Sequence, residues 1–427
     1  MANKKIGLWI FIIVLIPLLM WLFTQPINGR FFDSRTTLTS IGQILGITGI
    51  TLLSLTFLLS ARLKFLEDYF NGLDKLYTYH KRTSITGFMI ILFHPIFLAL
   101  TRALTSFSSA AKFLIPGENI AINFGIFALT TLIILVVLTL FARLKYNRWK
   151  VTHKFMGLFL LFAVLHILLI ESDVSINISL KIYLVSLAFV ALFVYTYRVI
   201  FGKSFTKRFK YKVDHVKNLS NNIVEITLKP INNKIGFKPG QFVFVSFLNN
   251  KILKEQHPFT ISSSPKEDVL RLSIKNSGDY TSKLNKLVKE EVAEVEGPYG
   301  RFFKESSRDE IWIAGGIGIT PFLSKIRNNL DDKRYYLFYS VRDKDEELII
   351  KELDEISKSK KNFNLYINRS SEGTHIDINK IKNEVNNVND KEVYLCGPLK
   401  MMDAFIEQFK KEGLSKRFIH WEEFSLR

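Results

Sequence analysis

Two apolar stretches, Tyr77 to Leu104 and Val151 to Ile170, each carry two histidines, and this pairing constrains the fold more than any other feature of the chain. His80 and His94 lie in the first, His153 and His166 in the second. At a helical rise of ~1.5 Å per residue, either pair is separated by roughly 20 Å along its axis, most of the apolar thickness of a bilayer. Ionisable side chains are costly in hydrocarbon and usually serve a function there. One such histidine is equally well explained by packing and a hydrogen bond. Two pairs at nearly matching spacing leave two functional readings: axial ligands of two haems stacked across the membrane, or a proton relay in a channel or transporter.

The 427 residues suffice for two or three domains, and 48% apolar content with a positive mean hydropathy suggests that part of the chain lies in lipid. Six windows read as spans: Ile6 to Phe23, Leu38 to Leu59, Ser84 to Leu104, Ile120 to Phe141, Phe155 to Ile170 and Leu180 to Phe201. The formal net charge of +19 does not indicate nucleic acid, because basic residues gather beside these windows. They cluster at Lys4 and Lys5, from Arg62 to Arg82, from Arg143 to Lys154 and from Lys203 to Lys212. By the positive-inside rule both termini are expected in the cytoplasm of a multi-pass cell-membrane protein, with the third and fifth spans parallel. His80 and His153 then face the inner side, His94 and His166 the outer. No small-residue cleavage pattern follows the first window at Thr24-Gln25-Pro26, so it is read as an uncleaved anchor. The single cysteine, Cys396, excludes an internal disulfide, a thiolate zinc cluster and covalent haem attachment.

Helical geometry raises one difficulty. Fourteen positions return His94 to within about 40° of His80, but thirteen leave His166 roughly 140° from His153 on an ideal helix. Either the winding is tighter, or the regular helix begins after His153, or the two sites lie on different sides of that span. Pro95 is expected to kink the third span, and Gly157 to let the fifth approach its neighbours closely. Arg102, toward the outer face, suits either a haem propionate or an anionic product, and snorkelling explains it equally well.

From about Lys207 the chain becomes charged and alternating. Tyr211 to Pro230, Phe237 to Leu248, His257 to Ser263, Val269 to Lys275 and Val292 to Glu296 read as short strands of an antiparallel barrel. After Gly300, strands at Ile311 to Ala314, Tyr335 to Tyr339, Asn364 to Ile367 and Glu392 to Leu395 alternate with helical stretches, as in a parallel doubly wound sheet. The run Ala314-Gly315-Gly316-Ile317-Gly318-Ile319-Thr320-Pro321 follows a strand and opens a helix at Pro321, an arrangement that turns backbone amides toward a phosphate. Cys396-Gly397-Pro398 ends the last strand at the same edge. The expected architecture is a six-helix transmembrane haem bundle (1–203), an antiparallel β-barrel FAD domain (204–305) and a parallel α/β nucleotide-binding domain (306–427). His215 and His375 read as surface residues.

The stretch His257-Pro258-Phe259-Thr260-Ile261-Ser262-Ser263 carries a family resemblance. So do Pro239-Gly240-Gln241-Phe242, Gly278-Asp279-Tyr280-Thr281, Gly297-Pro298-Tyr299-Gly300, the glycine turn, the Cys-Gly-Pro turn and the ending His420-Trp421-Glu422-Glu423-Phe424. Together they resemble the NADPH oxidase and ferric reductase superfamily, in which a six-span haem domain precedes a reductase module like ferredoxin-NADP reductase. The resemblance covers nearly the whole chain. It implies that His257, Pro258, Phe259, Thr260 and Ser262 form the flavin-binding segment, with Thr260 near the isoalloxazine, and that Thr281 meets the FAD pyrophosphate. It places Gly315, Gly316, Gly318, Thr320 and Pro321 on the nicotinamide dinucleotide, Cys396, Gly397 and Pro398 near the nicotinamide, and Phe424 over the flavin. Ser340 and Arg342, after the second strand of the nucleotide sheet, suit a ribose 2′-phosphate, though Arg342 is also an ordinary turn residue.

The resemblance decides against a proton relay, since a channel has no use for a flavin reductase. It implies two haem b groups, FAD and NADPH (or NADH), with His80 and His153 holding the inner haem and His94 and His166 the outer. Dioxygen is the expected acceptor, giving superoxide, and a ferric complex or an external protein is the alternative. A haem-free transport protein with a regulatory nucleotide domain is the reading from another class. No obligatory protein partner and no regulatory segment is evident.

Overall fold

A segment that is apolar all round is stable only where lipid or other helices cover it, and the N-terminal half has this character. The computed structural model describes residues 2–70, 72–142, 144, 146–202, 207–248, 253–342, 346–373 and 375–422. The chain divides into two units, Met1–Phe205 and Thr206–Arg427.

The first unit is helical: α1 (Ala2–Leu22), α2 (Ile27–Arg30), α3 (Ser34–Ser60), α4 (Lys64–Phe70), α5 (Leu73–Ala103), α6 (Phe107–Phe113), α7 (Ile120–Leu140), α8 (Tyr146–His153), α9 (Met156–Leu169), α10 (Asp173–Ile176) and α11 (Ile178–Thr196). Side-chain caps fix several starts. Asp33 forms a capping box with Thr36, and Asn119 and Asn177 accept from the amides of Ile122 and Leu180. The segments Ser34–Ser60, Leu73–Ala103, Ile120–Leu140, Arg148–Leu169 and Ile178–Val199 are long and apolar enough to cross a membrane; the apolar part of α1, Ile6–Leu22, is shorter. α3 packs along α5, α7 along α9, and α11 against both α3 and α9. Trp21, Ile47, Phe57, Leu132, Phe159, Leu160 and Leu184 fill the interior, while Phe93, Ile134, Phe189 and Phe193 stand exposed as lipid-facing residues do.

One sequence expectation changes here, and one open alternative is decided. The third span begins at Leu73 rather than Ser84 and runs unbroken through Pro95. Lys75, Lys81 and Arg82 interrupt the apolar signal, yet Lys and Arg are good helix formers, so the helix continues beneath them. The fifth span is broken: α8 ends at His153, Lys154 and Phe155 form a turn, and α9 starts at Met156. The regular helix therefore begins after His153, which removes the angular difficulty.

The second unit opens with β1 (Arg208–Asn218), β2 (Ile223–Pro230), β3 (Phe242–Phe247), β4 (His257–Thr260), β5 (Leu270–Lys275) and β6 (Val292–Tyr299). The stretch from Tyr211 to Pro230 is a hairpin, because the Asn- and Ser-rich turn after Asn218 reverses the chain. The antiparallel sheet has the order β4-β3-β6-β1-β2-β5, and a bridge between Ile261 and Leu272 brings its two edges together, so it curls around Tyr211, Ile226, Val245, Phe247, Leu272 and Val295. There follow β7 (Glu310–Gly315), α12 (Thr320–Arg327), β8 (Tyr335–Val341), α13 (Glu347–Ser359), β9 (Phe363–Arg369), α14 (Ile378–Glu384), β10 (Glu392–Cys396), α15 (Leu399–Lys411) and β11 (Ile419–Trp421). Their sheet is parallel in the order β11-β10-β7-β8-β9. The chain steps outward from β7 to β9 and then returns to β7's other side as β10. The crevice between the ends of β7 and β10 is thus the topological switch point, where open parallel sheets bind ligands.

Candidate functional site

The histidine pairs come first in the chain. His80 and His94 project from α5, His153 is the last residue of α8, and His166 lies on α9. The His80 and His153 rings have centroids 6.3 Å apart at 71°. Two metal–imidazole bonds of about 2 Å, with the half-widths of two rings, span roughly 6 Å, so the centroid separation is of the size that one shared metal atom requires. Three of the four rings are oriented by a backbone carbonyl of a neighbouring helix. His80 Nδ1 bonds Thr56 O at 2.9 Å, His94 Nδ1 bonds Gly42 O at 2.7 Å, and His166 Nδ1 bonds Ala121 O at 2.7 Å. A carbonyl only accepts, so Nδ1 carries the proton and Nε2 keeps the lone pair that binds a metal.

His94 and His166 share a local design. A Cβ at Gly46 would stand 2.7 Å from His94 Nδ1, and one at Gly125 3.0 Å from His166 Nδ1. In each case the accepting carbonyl, Gly42 or Ala121, lies one turn before the glycine that makes room for the ring. The spacing Gly42-x3-Gly46 and Ala121-x3-Gly125 was the available sequence signal, a small-x3-small pattern of close helix approach. Haem iron needs two protein ligands at a bis-histidine site, and these paired, Nδ1-protonated imidazoles suit it. Arg102 is exposed and lies with its guanidinium 4.4 Å from the Phe113 ring centroid.

At the switch point, Gly316 adopts φ +53° and begins a tight turn, so the helix starts at Thr320, one residue before the expected Pro321. The glycine turn and the Cys-Gly-Pro turn pack directly on each other. A Cβ at Gly318 would lie 2.3 Å from the Cys396 carbonyl oxygen, and one at Gly315 2.9 Å from Pro398 Cδ. Thr320 Oγ1 donates to Ile317 O at 2.7 Å. The Cys396 side chain is fully buried beside Ala314, Ile319 and Phe322, so Gly397 and Pro398, not the thiol, form the edge. Burial, reinforced by the charge of Glu422, pushes that thiol well up, which keeps it neutral. Ser340 pairs with Gly315 across β8 and β7, and Arg342 is exposed just beyond. Glu346 Oε1 and Lys275 Nζ lie 3.7 and 4.0 Å from where a Gly316 Cβ would stand, which brings the end of β5 to the glycine turn.

On the flavin-side sheet, His257 stacks on Tyr280 at 3.8 Å, and Phe259 lies 6.4 Å from the same ring at 25°. Pro258 is half-buried, and Thr260 is buried opposite Phe242. Thr281 Oγ1 accepts from the amides of Ser277 and Gly278 at 2.9 and 3.1 Å. Ser262 is fully buried; its hydroxyl accepts from Ser273 at 3.0 Å and its carbonyl from Arg327 at 2.9 Å, so it braces the segment from behind. Sequence reasoning missed this brace. Arg327 also bonds Glu225 at 3.1 Å and Glu352 at 2.6 and 2.8 Å, and Ser324 donates to Ser263 O at 2.7 Å, which ties α12 to the strand carrying the flavin motif. Phe424 lies outside the described residues. His215, beside Asp214, and His375 are on the surface.

Residues 45–164 match the family of ferric reductase like transmembrane components, residues 208–303 an FAD-binding domain and residues 312–407 an oxidoreductase NAD-binding domain. The chain belongs to the NADPH oxidase and ferric reductase superfamily. Superfamily relatives include a superoxide-generating NADPH oxidase heavy chain of Dictyostelium discoideum, 31% identical over 140 residues, which are 27% of this chain and 20% of that protein. NADPH oxidase 1 of Mus musculus is 28% identical over 142 residues, 29% of this chain and 23% of its own length. The reductase half is also similar to the phenol hydroxylase P5 protein of Acinetobacter pittii, 32% identical over 232 residues, 50% of this chain and 64% of that protein. The matches span less than two thirds of each of these relatives.

Proposed function

We propose that this superfamily member moves electrons from cytoplasmic NADPH through FAD and two bis-histidine haems to dioxygen on the outer face, forming superoxide. The observation that carries the proposal is the set of four imidazoles, three with Nδ1 held on carbonyls, in one chain with flavin and nicotinamide domains. A nicotinamide gives up two electrons together and a haem iron takes one, and bound FAD supplies the conversion between them.

The chain's own residues supply position. The amides of the turn Gly315 to Ile319, at the start of α12, suit a pyrophosphate, and Lys275 adds a cation beside them. Ser340 and Arg342 are assigned to the 2′-phosphate of NADPH. The Pro258, Phe259 and Thr260 segment, the Tyr280 ring stacked on His257, and Thr281 are assigned to FAD, with Phe424 as its aromatic cover. His80 and His153 would hold the inner haem, His94 and His166 the outer. A haem held by two histidines would pass an electron to the acceptor without binding it, so the residues around His94 and His166 would decide what is reduced. The proposal takes α1 as a sixth span beside the five long apolar helices and sets both termini in the cytoplasm, a reading that the clusters of Lys and Arg support.

The test is NADPH-driven reduction of a one-electron acceptor by the purified protein, with and without superoxide dismutase. Dioxygen as acceptor predicts that dismutase abolishes the signal; reduction that ignores dismutase overturns superoxide formation in favour of direct transfer to a metal complex or protein.

A further inference from the structure

Three of the membrane histidines are aimed by a carbonyl on a neighbouring helix, but His153 Nδ1 meets no hydrogen-bond partner among the described residues. His153 is also where the fifth span stops. The turn after it is closed by Lys154 N–H on Val151 O at 3.1 Å and Phe155 N–H on Thr152 O at 3.0 Å. Such a break frees carbonyls that a continuous helix would use, and within a membrane protein another group must satisfy them. The Lys154 carbonyl accepts the hydroxyl proton of Tyr195, from α11.

Tyr195 reaches that carbonyl because residue 157 has no side chain. A Cβ at Gly157 would stand 2.2 Å from Tyr195 Cε1 and 2.8 Å from Cδ1 and Cζ. The Tyr195 ring is held further by Phe57, edge to face at 5.4 Å. Phe57 directly follows Thr56, whose carbonyl holds His80, so α3 braces both members of the inner pair. On the other side of the break, Trp149 stacks on the His153 ring at 5.2 Å and 19°.

We propose that Tyr195, seated on Gly157 and bonded to the Lys154 carbonyl, is a positioning residue that holds the break in the fifth span and so aims His153 at His80. A continuous helix would set His153 and His166 roughly 140° apart. The break lets α8 turn independently of α9, Tyr195 fixes that turn, and Trp149 sets the plane of the ring. The inference rests on the reading of His80 and His153 as the inner haem pair.

The experiment compares the full-length chain in detergent with its His80→Leu, Tyr195→Phe and Gly157→Leu variants by haem content and low-spin electron paramagnetic resonance. His80→Leu identifies the inner signal by its disappearance. Tyr195→Phe, which removes one hydroxyl, is expected to keep both haems, shift the inner signal and leave the outer signal unchanged. Gly157→Leu is expected to lose the inner signal with about half the haem. Both variants retaining an unaltered inner signal, or Tyr195→Phe disturbing both signals equally, overturns the proposal while the haem reading stands. A wild-type chain without haem overturns both. If Gly157→Leu fails to fold, the signal of Tyr195→Phe decides.

Discussion

A backbone carbonyl has no proton to offer, so each histidine nitrogen facing one is a fixed donor and the opposite nitrogen a fixed lone pair. His80, His94 and His166 meet that condition inside a helical unit where a free proton carrier would gain little from it. His94→Leu is expected to remove one haem while NADPH still bleaches the flavin under anaerobic conditions; a variant that keeps both haem signals contradicts the assignment. Gly318 makes a second residue-scale case. Its neighbour is a carbonyl oxygen 2.3 Å from any added Cβ, so Gly318→Ala must push two turns apart. Overpacking of this kind costs ~1–3 kcal/mol, and denaturant unfolding should show it together with a raised KM for NADPH. The histidines and the glycines were legible in the sequence as residue types. Their partners were not, because Thr56, Gly42 and Ala121 act through backbone oxygens that every residue possesses.

Among the elements, α12 matters most, since it begins at the nucleotide turn and ends at Arg327, which grips the strand behind the flavin motif. Arg327→Met leaves the buried Glu225 carboxylate without its countercharge, and breaking a buried pair in this way costs about 3 kcal/mol. Slower hydride transfer at unchanged flavin content is the expected kinetic signature; unaltered transfer would reduce Arg327 to a stabilising role alone. β11 depends on a similar clamp between His420 and Glu392. Burial alone would raise the Glu392 carboxyl, but the His420 ring against it more than reverses this and holds it below the usual 4.5. Because the folded value is the lower one, the clamp stabilises fully above the unfolded value and is lost as pH falls through the folded value. Thermal unfolding of the wild type and Glu392→Gln should therefore differ near neutral pH and converge in acid; a constant gap would contradict the clamp. The two sheets were legible from alternation and turn chemistry. β11, three residues long, was too short for periodicity to reveal, and the break after His153 showed only as the thirteen-residue spacing to His166, because Lys154 and Phe155 are compatible with a helix.

At the scale of the whole molecule, charge, hydropathy and motif order separated a membrane part from a reductase part, and the chain divides into two units between residues 205 and 206. The candidate site was legible where chemistry needs a particular side chain, as at His80 or the glycine turn. It was hidden where long-range packing does the positioning, as at Tyr195, Lys275 and Arg327. The central claim is that one chain joins a site of nicotinamide oxidation to two bis-histidine haems. Anaerobic addition of NADPH to the purified, FAD-loaded protein, followed by its optical spectrum, tests this most directly. Two low-spin b-type haems per chain, both reduced by NADPH, are expected; fewer than two haems, or haems that dithionite reduces and NADPH does not, would overturn this electron path.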